Sequence, residues 1–216
     1  MVNLEAAVTS FCIEQSNGKA LQKSNLCSEI SSILPWLFLS GARAVREARL
    51  HELGITNVIN TAMELPEQPL DNIEVTTVQL QDVPGADLSQ YLHQICDKLE
   101  SIRMNDGRAL VHCVAGVSRS PSFVLAYLVK YGGMSLREAY QHVHDIRHSV
   151  RPNHGFFESL IAFEYIERGR STVNMITNPD VGLTVPDVCE NELHVLKDER
   201  WALSIKERRG FDNRYA

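Results

Sequence analysis

The sequence predicts a globular α/β domain, because segments with strand patterns alternate along the chain with segments that have helical patterns. Hydrophobic residues make up 44% of the 216 residues and charged residues 22%, a composition that can bury a sizeable core. Residues 120–130 form a helical segment that is apolar nearly all round. A helix of that kind is expected in the middle of a fold.

Four segments are predicted as strands from their β-branched content and from the turn residues that flank them. They are residues 30–39, 55–62, 73–80 and 109–113. The fourth segment is short and almost wholly apolar, so we expect it to be a buried strand.

Two helices are predicted from periodicity. Residues 88–102 and 136–146 carry apolar side chains at spacings of three, four and seven, which is typical of helices packed on one side. Ser135, with Glu138 three residues later, has the pattern of a capping box at the start of the second helix.

Glycines mark the ends of the other two predicted helices. Gly132 and Gly133 follow the apolar helix 120–130, and residues 156–166 predict a last helix that ends at Gly169. The predicted domain therefore spans residues 29–170. Residues 1–28 are polar and predict a flexible N-terminal arm. Residues 171–216 predict an extended C-terminal extension, packed on the domain or trailing from it, in which residues 192–209 are a candidate helix.

Charge and composition limit the function classes. The net charge of −6 makes a nucleic-acid partner a poor interpretation. The longest nearly uncharged apolar run, residues 123–129, is far shorter than the roughly 20 residues of a membrane-spanning helix. The first 28 residues show no secretory or transit signal, and five widely spaced cysteines without a C-x-x-C pair favour thiols over disulfides or cysteine zinc sites. We expect the protein to be cytoplasmic, with the nucleus as a second candidate location.

One run of sequence carries the chemistry. Residues 111–121 read Val-His-Cys-Val-Ala-Gly-Val-Ser-Arg-Ser-Pro and lie between the short apolar strand and the buried helix. A loop that enters a helix N-terminus directs unpaired N–H groups and the positive end of the helix dipole at an anion, and phosphate is favoured there. Gly116 lets the loop curl closely, and Pro121 is tolerated in the first helical turn.

Cys113 and Arg119 give this anion site its reactivity. The same positive field, with Arg119 nearby, favours the thiolate form of Cys113 at neutral pH. The planar fork of Arg119 can bind two phosphate oxygens at once. A thiolate that attacks phosphorus also needs a proton donor for the departing oxygen. Asp87 has the pattern of an ordinary helix cap, whereas Asp82 lies in a loop just after a strand, so Asp82 is the predicted acid.

The motif His112-Cys113-x-x-Gly116-x-x-Arg119-Ser120 resembles the signature of cysteine-based protein tyrosine phosphatases. The run 115–120, followed by Ala-Tyr-Leu at 126–128 and by Arg-Pro-Asn at 151–153, is most similar to the small atypical dual-specificity phosphatases. This resemblance extends from about residue 28 into the C-terminal extension. It implies a protein tyrosine phosphatase-like fold with a mixed central sheet flanked by helices.

The resemblance also implies residue roles. Cys113 would form a cysteinyl-phosphate, Asp82 would act as acid and then as base, and Ser120 would stabilise the departing thiolate. His112 would order the loop by hydrogen bonding, and Asn153 would either touch the loop or only turn the chain. The phosphate would be held by the six residues Val114, Ala115, Gly116, Val117, Ser118 and Arg119. No metal or other cofactor is needed, because the loop and Arg119 supply the positive field.

Phosphorylated proteins are the expected partners, through phosphotyrosine and phosphoserine or phosphothreonine, with MAP kinases among the candidates. The variable loop positions carry no lysine or arginine, which disfavours inositides and RNA ends. Two alternatives stay open: a phosphoprotein-binding module without catalysis, and a phosphatase for a non-protein phosphate. His144 and His148 share a helix face, but no cysteine or acidic set accompanies them, so a zinc site is not predicted.

Overall fold

The computed structural model describes residues 29–66, 69–178 and 183–192. The chain divides into two compact units, residues 1–173 and 174–216. The arm predicted for residues 1–28, and all but the first residue of the helix predicted for 192–209, lie outside the described residues.

A five-stranded sheet forms the centre of the first unit, in the order β1-β2-β5-β3-β4. Neighbouring strands are parallel except for β1, which runs antiparallel to β2. The strands are β1 (Ser31–Leu34), β2 (Leu37–Gly41), β3 (Asn57–Asn60), β4 (Glu74–Thr77) and β5 (Ala109–Cys113). This mixed sheet, with helices packed around it, confirms the predicted α/β class.

The segment predicted as one strand over residues 30–39 is a hairpin, so that prediction was wrong. Leu34 pairs with Leu37, and a tight turn at Pro35 and Trp36 separates β1 from β2. Proline has no N–H to donate to a strand ladder and fixes its own φ, so the ladder is interrupted there and the chain reverses. Residues 33–39 are all apolar, so the hydrophobic pattern does not indicate where the first strand ends and the second begins.

Within the described residues, five α-helices accompany the sheet: α1 (Glu47–Glu52), α2 (Ser89–Met104), α3 (Arg119–Lys130), α4 (Leu136–Ile146) and α5 (His154–Arg168). The last four confirm the predicted helices to within a few residues at each end. Helix α1 was not predicted, because it has six residues and buries only Leu50, too little to give a periodic signal.

Helix α3 is the central helix, as predicted. Every one of its residues except Lys130 is buried, and it packs against the other long helices as well as against β2 and β5. The Tyr127 hydroxyl donates a hydrogen bond to Glu100 of α2 at 2.7 Å, so the one polar group of this buried side chain has a partner. A fully packed helix of this kind holds its N-terminus in a fixed position.

Predicted helix ends are also confirmed. The Ser135 side chain and the Glu138 side chain make the reciprocal bonds of a capping box at the start of α4. Gly169 ends α5 with a φ of 70°, a left-handed conformation that glycine adopts without steric cost. The side chain of Glu164 on α5 is wholly buried and accepts the Leu136 N–H at 2.8 Å, which ties the start of α4 to α5.

The second unit contains a small hairpin that the sequence predicted only as an extended segment. Strands β6 (Met175–Asn178) and β7 (Leu183–Pro186) pair antiparallel, and a 3₁₀ helix, Asp187–Glu192, follows. Across the described ranges of both units, no helix is long and apolar enough to cross a bilayer.

One prediction concerns stability at acid pH. The Nε2–H of His142 on α4 donates to the Ile33 carbonyl at 3.0 Å, and burial lowers the pKa of this histidine below its ordinary value of 6.5. As the pH falls below 6.5, the unfolded chain binds a proton that the folded protein resists, so the free energy of unfolding decreases. We expect His142→Gln, which keeps a donor for Ile33, to lose less stability between about pH 7.5 and about pH 5.5 than the wild type in urea titrations. An identical loss in both proteins would contradict the prediction.

Candidate active site

The candidate site lies at the carboxyl ends of the parallel strands. Strand β5 ends at Cys113, the loop of residues 114–118 follows, and α3 begins at Arg119. The segments that leave β3 and β4 bring Glu64 and Asp82 to the same edge of the sheet. Open α/β sheets bind their ligands at this edge, because the loops after parallel strands gather there.

The loop lies against the end of β2 at backbone distance. Gly116 has a φ of 70°, and a Cβ on it would meet the carbonyl of Ser40 at 2.6 Å. A Cβ on Gly41 would lie 2.9 Å from the carbonyl oxygen of Ala115. Two glycines therefore let two stretches of backbone approach each other more closely than side chains allow. The predicted requirement for Gly116 in a tightly curled loop is confirmed.

Two donors point at the Cys113 sulfur. The Gly116 N–H and the Ser120 Oγ–H each donate to Sγ at 3.2 Å, and the side chain is almost wholly buried. Negative charge on sulfur is stabilised by donors in this arrangement. The geometry thus brings Cys113, Gly116 and Ser120 together as the motif suggested.

The N-terminus of α3 carries no side-chain cap. Ser118 is the N-cap residue, but its side chain makes no capping hydrogen bond. Its Oγ instead donates to Asp82 Oδ1 at 2.7 Å and accepts the Asn153 N–H at 3.2 Å. The positive end of the helix is therefore left for an anion, as a phosphate site requires.

The Arg119 guanidinium is buried and paired with a carboxylate that the sequence did not reveal. Its Nη1 and Nη2 donate to the two carboxylate oxygens of Glu64 at 2.6 Å each, and Nη1 also donates to the Leu80 carbonyl at 3.2 Å. The hydrogen bonds from Arg119 hold the pKa of Glu64 below its usual value. The Glu64 side chain remains 51% exposed, so the pair lies at the mouth of the site.

Asp82, and not Asp87, is next to the loop. The Asp82 carboxylate accepts from Ser118 Oγ and, at 3.0 Å, from Asn153 Nδ2, and its Oδ2 is 3.7 Å from Arg119 Nε. Asp87 is exposed at the start of α2, where it accepts from Ser89 Oγ at 2.5 Å, and this bond lowers its pKa. The structure therefore places Asp82 beside the loop and Asp87 in a local turn.

Asn153 combines the two roles between which the sequence did not decide. Its Oδ1 accepts the Phe156 N–H at 3.0 Å and caps α5, while its Nδ2 and backbone N–H bond Asp82 and Ser118. One residue thus caps a helix through its side chain and contacts both Asp82, through Nδ2, and the loop, through its backbone N–H.

His112 and Arg147 lie on the far side of the loop. The Nδ1–H of His112 donates to the Cys113 carbonyl at 3.3 Å, and burial lowers the pKa of this histidine, which favours its neutral form. Arg147, wholly buried at the end of α4, donates to the carbonyls of Gly116 at 2.9 Å and Ala115 at 3.1 Å. In a trans peptide the N–H points opposite to the carbonyl, so the N–H groups of Gly116 and Val117 face away from Arg147, and that of Gly116 donates to the Cys113 sulfur.

Sequence reasoning missed Glu64 and Arg147. Glu64 had one available signal, since it follows a strand that was predicted at almost the right place, and strand ends gather functional groups. Arg147 had none, because nothing in its sequence neighbourhood distinguishes it from an exposed arginine at a helix end. The His144 and His148 rings are 5.5 Å apart, and the described part of the chain contains no cluster of three or more potential metal ligands.

Comparison with known proteins identifies the family of this site. Residues 37–166 match the family model described as dual specificity phosphatase, catalytic domain. The chain belongs to the dual-specificity phosphatase family. Human dual specificity protein phosphatase 18 is 38% identical over 170 residues, which cover 78% of this chain and 89% of that protein. Human dual specificity protein phosphatase 14 is 40% identical over 164 residues, which cover 76% of this chain and 82% of that protein.

A solved structure agrees with this assignment. The crystal structure of human DUSP28 superposes with a TM-score of 0.61 at 32% sequence identity, covering 63% of this chain and 93% of that one. The predicted resemblance to the atypical dual-specificity phosphatases is confirmed, and the chain is a dual-specificity protein phosphatase.

The loop that carries Asp82 packs directly on α5, and this contact yields a second prediction. A Cβ on Gly155 would lie 2.0 Å from the carbonyl oxygen of Pro84, so Gly155→Ala must displace the loop that carries Asp82. We expect kcat/KM on a phosphothreonyl peptide to fall about 10- to 100-fold, because small misplacements of a reacting group are costly. Gly85→Ala in the same loop is the control, since a Cβ there meets nothing within 4 Å. Equal activity of the two variants would contradict the prediction.

Proposed function

We propose that this dual-specificity phosphatase hydrolyses phosphotyrosine and phosphoserine or phosphothreonine in proteins through a cysteinyl-phosphate intermediate on Cys113. The surroundings of the Cys113 sulfur carry the proposal. The sulfur accepts two hydrogen bonds, each of 3.2 Å, at an uncapped helix N-terminus and close to the buried guanidinium of Arg119. A sulfur held in this way is a nucleophile for a phosphate bound in the loop.

Phosphate binding uses the backbone of residues 114–118 and the side chain of Arg119. Arg147 holds the carbonyls of Ala115 and Gly116, so the N–H groups of the same two peptides, those of Gly116 and Val117, face away from Arg147. Arg119 adds a positive charge and planar donors that fit phosphate oxygens. These groups stabilise the charge that the phosphoryl oxygens carry in the transition state.

In the first step the Cys113 thiolate attacks phosphorus. The S–P bond forms while the bond from phosphorus to the tyrosyl, threonyl or seryl oxygen breaks. Asp82 gives its proton to the leaving oxygen, so that a neutral hydroxyl departs. The hydrogen bonds from Ser118 and Asn153 hold the Asp82 carboxyl beside the loop for this transfer.

In the second step water hydrolyses the phosphocysteine. The Asp82 carboxylate takes a proton from the water, the O–P bond forms and the S–P bond breaks, which releases inorganic phosphate. Ser120 Oγ, placed to donate to the sulfur, stabilises the departing thiolate. The enzyme returns to its starting protonation state.

Substrate choice is proposed on the chemistry of the loop. The side chains at positions 114, 115, 117 and 118 carry no positive charge, which favours a single phosphorylated side chain over a multiply phosphorylated lipid or an RNA end. We include the phosphorylated activation loops of MAP kinases among the substrates. Because a thiol nucleophile must stay reduced, a cytoplasmic or nuclear location suits the reaction.

The experiment that tests the proposal is steady-state hydrolysis by the wild-type protein in reductant with EDTA. The substrates are para-nitrophenyl phosphate, matched phosphotyrosyl and phosphothreonyl peptides, and a doubly phosphorylated MAP kinase. We expect hydrolysis of both peptides in the presence of the chelator. Binding of the peptides without hydrolysis would favour a phosphoprotein-binding module, and hydrolysis restricted to non-protein phosphates would favour a different substrate class.

A further inference from the structure

The donors of Arg119 are used unequally. A guanidinium has five N–H groups that form two parallel forks, one from Nη1 and Nη2 at the end and one from Nε and Nη2 at the side. Glu64 occupies the end fork with both of its oxygens, at 2.6 Å each, and the Leu80 carbonyl takes the second N–H of Nη1. Three donors are thus bound by the fold.

The side fork of Arg119 is left open. Nε is buried and has no hydrogen-bond partner among the described residues. The oxygen of Asp82 that lies near it, Oδ2, is 3.7 Å away, beyond hydrogen-bond distance. A buried donor without a partner is costly unless a ligand supplies the acceptor. The second Nη2–H points in the same direction as Nε–H, so a phosphate can accept from both.

From this division of donors we infer that Glu64 is a positioning residue, which holds the end fork of Arg119 so that the side fork faces the phosphate in the loop. The inference rests on the proposed function and adds a residue to it. An arginine side chain has many rotamers, and the bidentate carboxylate selects one of them before substrate arrives. Glu64 does not touch the substrate and acts through Arg119.

Because Glu64 is negatively charged, the direction in which its removal changes phosphate affinity tests this positioning role. A carboxylate near the phosphate site repels an anion, so its removal would tighten phosphate binding if charge alone mattered. A positioning role predicts the opposite, because Arg119 loses its fixed orientation when Glu64 is removed. The direction of the change in affinity therefore separates the two roles.

The test measures binding of inorganic phosphate and of tungstate by calorimetry in the Cys113→Ser background, where no turnover interferes. We expect Glu64→Gln and Glu64→Ala to weaken binding by about 10-fold, the order of one charge-assisted hydrogen bond. Glu74→Gln is the matched control and should leave affinity unchanged. Glu74 is also exposed and ion-paired, at 2.6 Å to Lys98, but it stands at the amino end of β4, away from the site.

A second pair of variants tests whether Glu64 acts through Arg119. In an Arg119→Lys background the bidentate pair cannot form, so adding Glu64→Gln should cause no further weakening. Unchanged or tighter oxyanion binding in the Glu64 variants, or additive losses in the double variant, would overturn the inference. Thermal unfolding of each variant verifies that Glu64→Gln remains folded.

The outcome is separable from that of the proposed function. If the wild type binds oxyanions but hydrolyses no phosphopeptide, the proposed function fails while the calorimetry still tests Glu64. If the wild type is active and the Glu64 variants bind oxyanions as the wild type does, only the role of Glu64 fails. With the Cys113 thiol present, Glu64→Gln should raise KM for phosphopeptides about 10-fold, in line with the loss in oxyanion affinity.

Discussion

Cys113→Ser is expected to lower kcat on phosphopeptides by at least about 10⁴-fold, the order seen when a catalytic nucleophile is removed. Serine keeps the shape of the side chain, but its hydroxyl is not ionised at neutral pH, and Asp82 cannot activate it because the first step needs Asp82 protonated as the acid. The loop N–H groups and Arg119 remain, so phosphate and tungstate should still bind. Steady-state hydrolysis and calorimetry on the same preparation measure both quantities.

Cys96→Ser is the matched control for this substitution. Cys96 is buried on α2, and burial raises the pKa of its thiol, so it is not a nucleophile at neutral pH. We expect the folded Cys96→Ser variant to retain the activity of the wild type per molecule. Retained turnover in Cys113→Ser would disprove the cysteinyl-phosphate mechanism, and its loss in the folded Cys96→Ser variant would show that the effect is not specific to Cys113.

Asp82→Asn is expected to slow hydrolysis in a way that depends on the leaving group. An alkoxide leaves poorly without a proton, so kcat on a phosphothreonyl peptide should fall about 10²- to 10⁴-fold. A para-nitrophenolate leaves readily, so kcat on para-nitrophenyl phosphate should fall by less. Asparagine keeps the size of the side chain and an oxygen that accepts from Ser118 or Asn153, which preserves the loop.

Asp87→Asn tests the alternative acid in the same assays. Asp87 is exposed, and among the described residues it forms hydrogen bonds with its neighbours Ser89 and Gln90, so its substitution should leave the ratio of the two rates unchanged. Equal slowing of both substrates by Asp82→Asn would argue that another group donates the proton. A change in the ratio with Asp87→Asn would transfer the role to that residue.

The helices of this phosphatase were predictable because burial gives a helix a sequence period. The apolar faces of α2 and α4 and the continuous apolar sequence of α3 each follow directly from what the helix packs against. The hairpin of β1 and β2 was not predictable in the same way. The apolar residues 33–39 run from the end of β1 into β2, and the one proline among them was too weak a signal.

By itself the sequence determined the proposed nucleophile, the glycine turn, the arginine proposed to bind phosphate and the helix end that they share. All of these lie within residues 111–121, so local backbone geometry is sufficient to bring them together. The sequence favoured Asp82 over Asp87, but only the tertiary structure showed that Asp82 and Glu64 both contact that loop or its arginine. Asp82 is 36 residues from Ser118 and Glu64 is 55 residues from Arg119, and both contacts depend on the order of parallel strands in the sheet. Strand order is set by the packing of the whole domain, which no local pattern encodes.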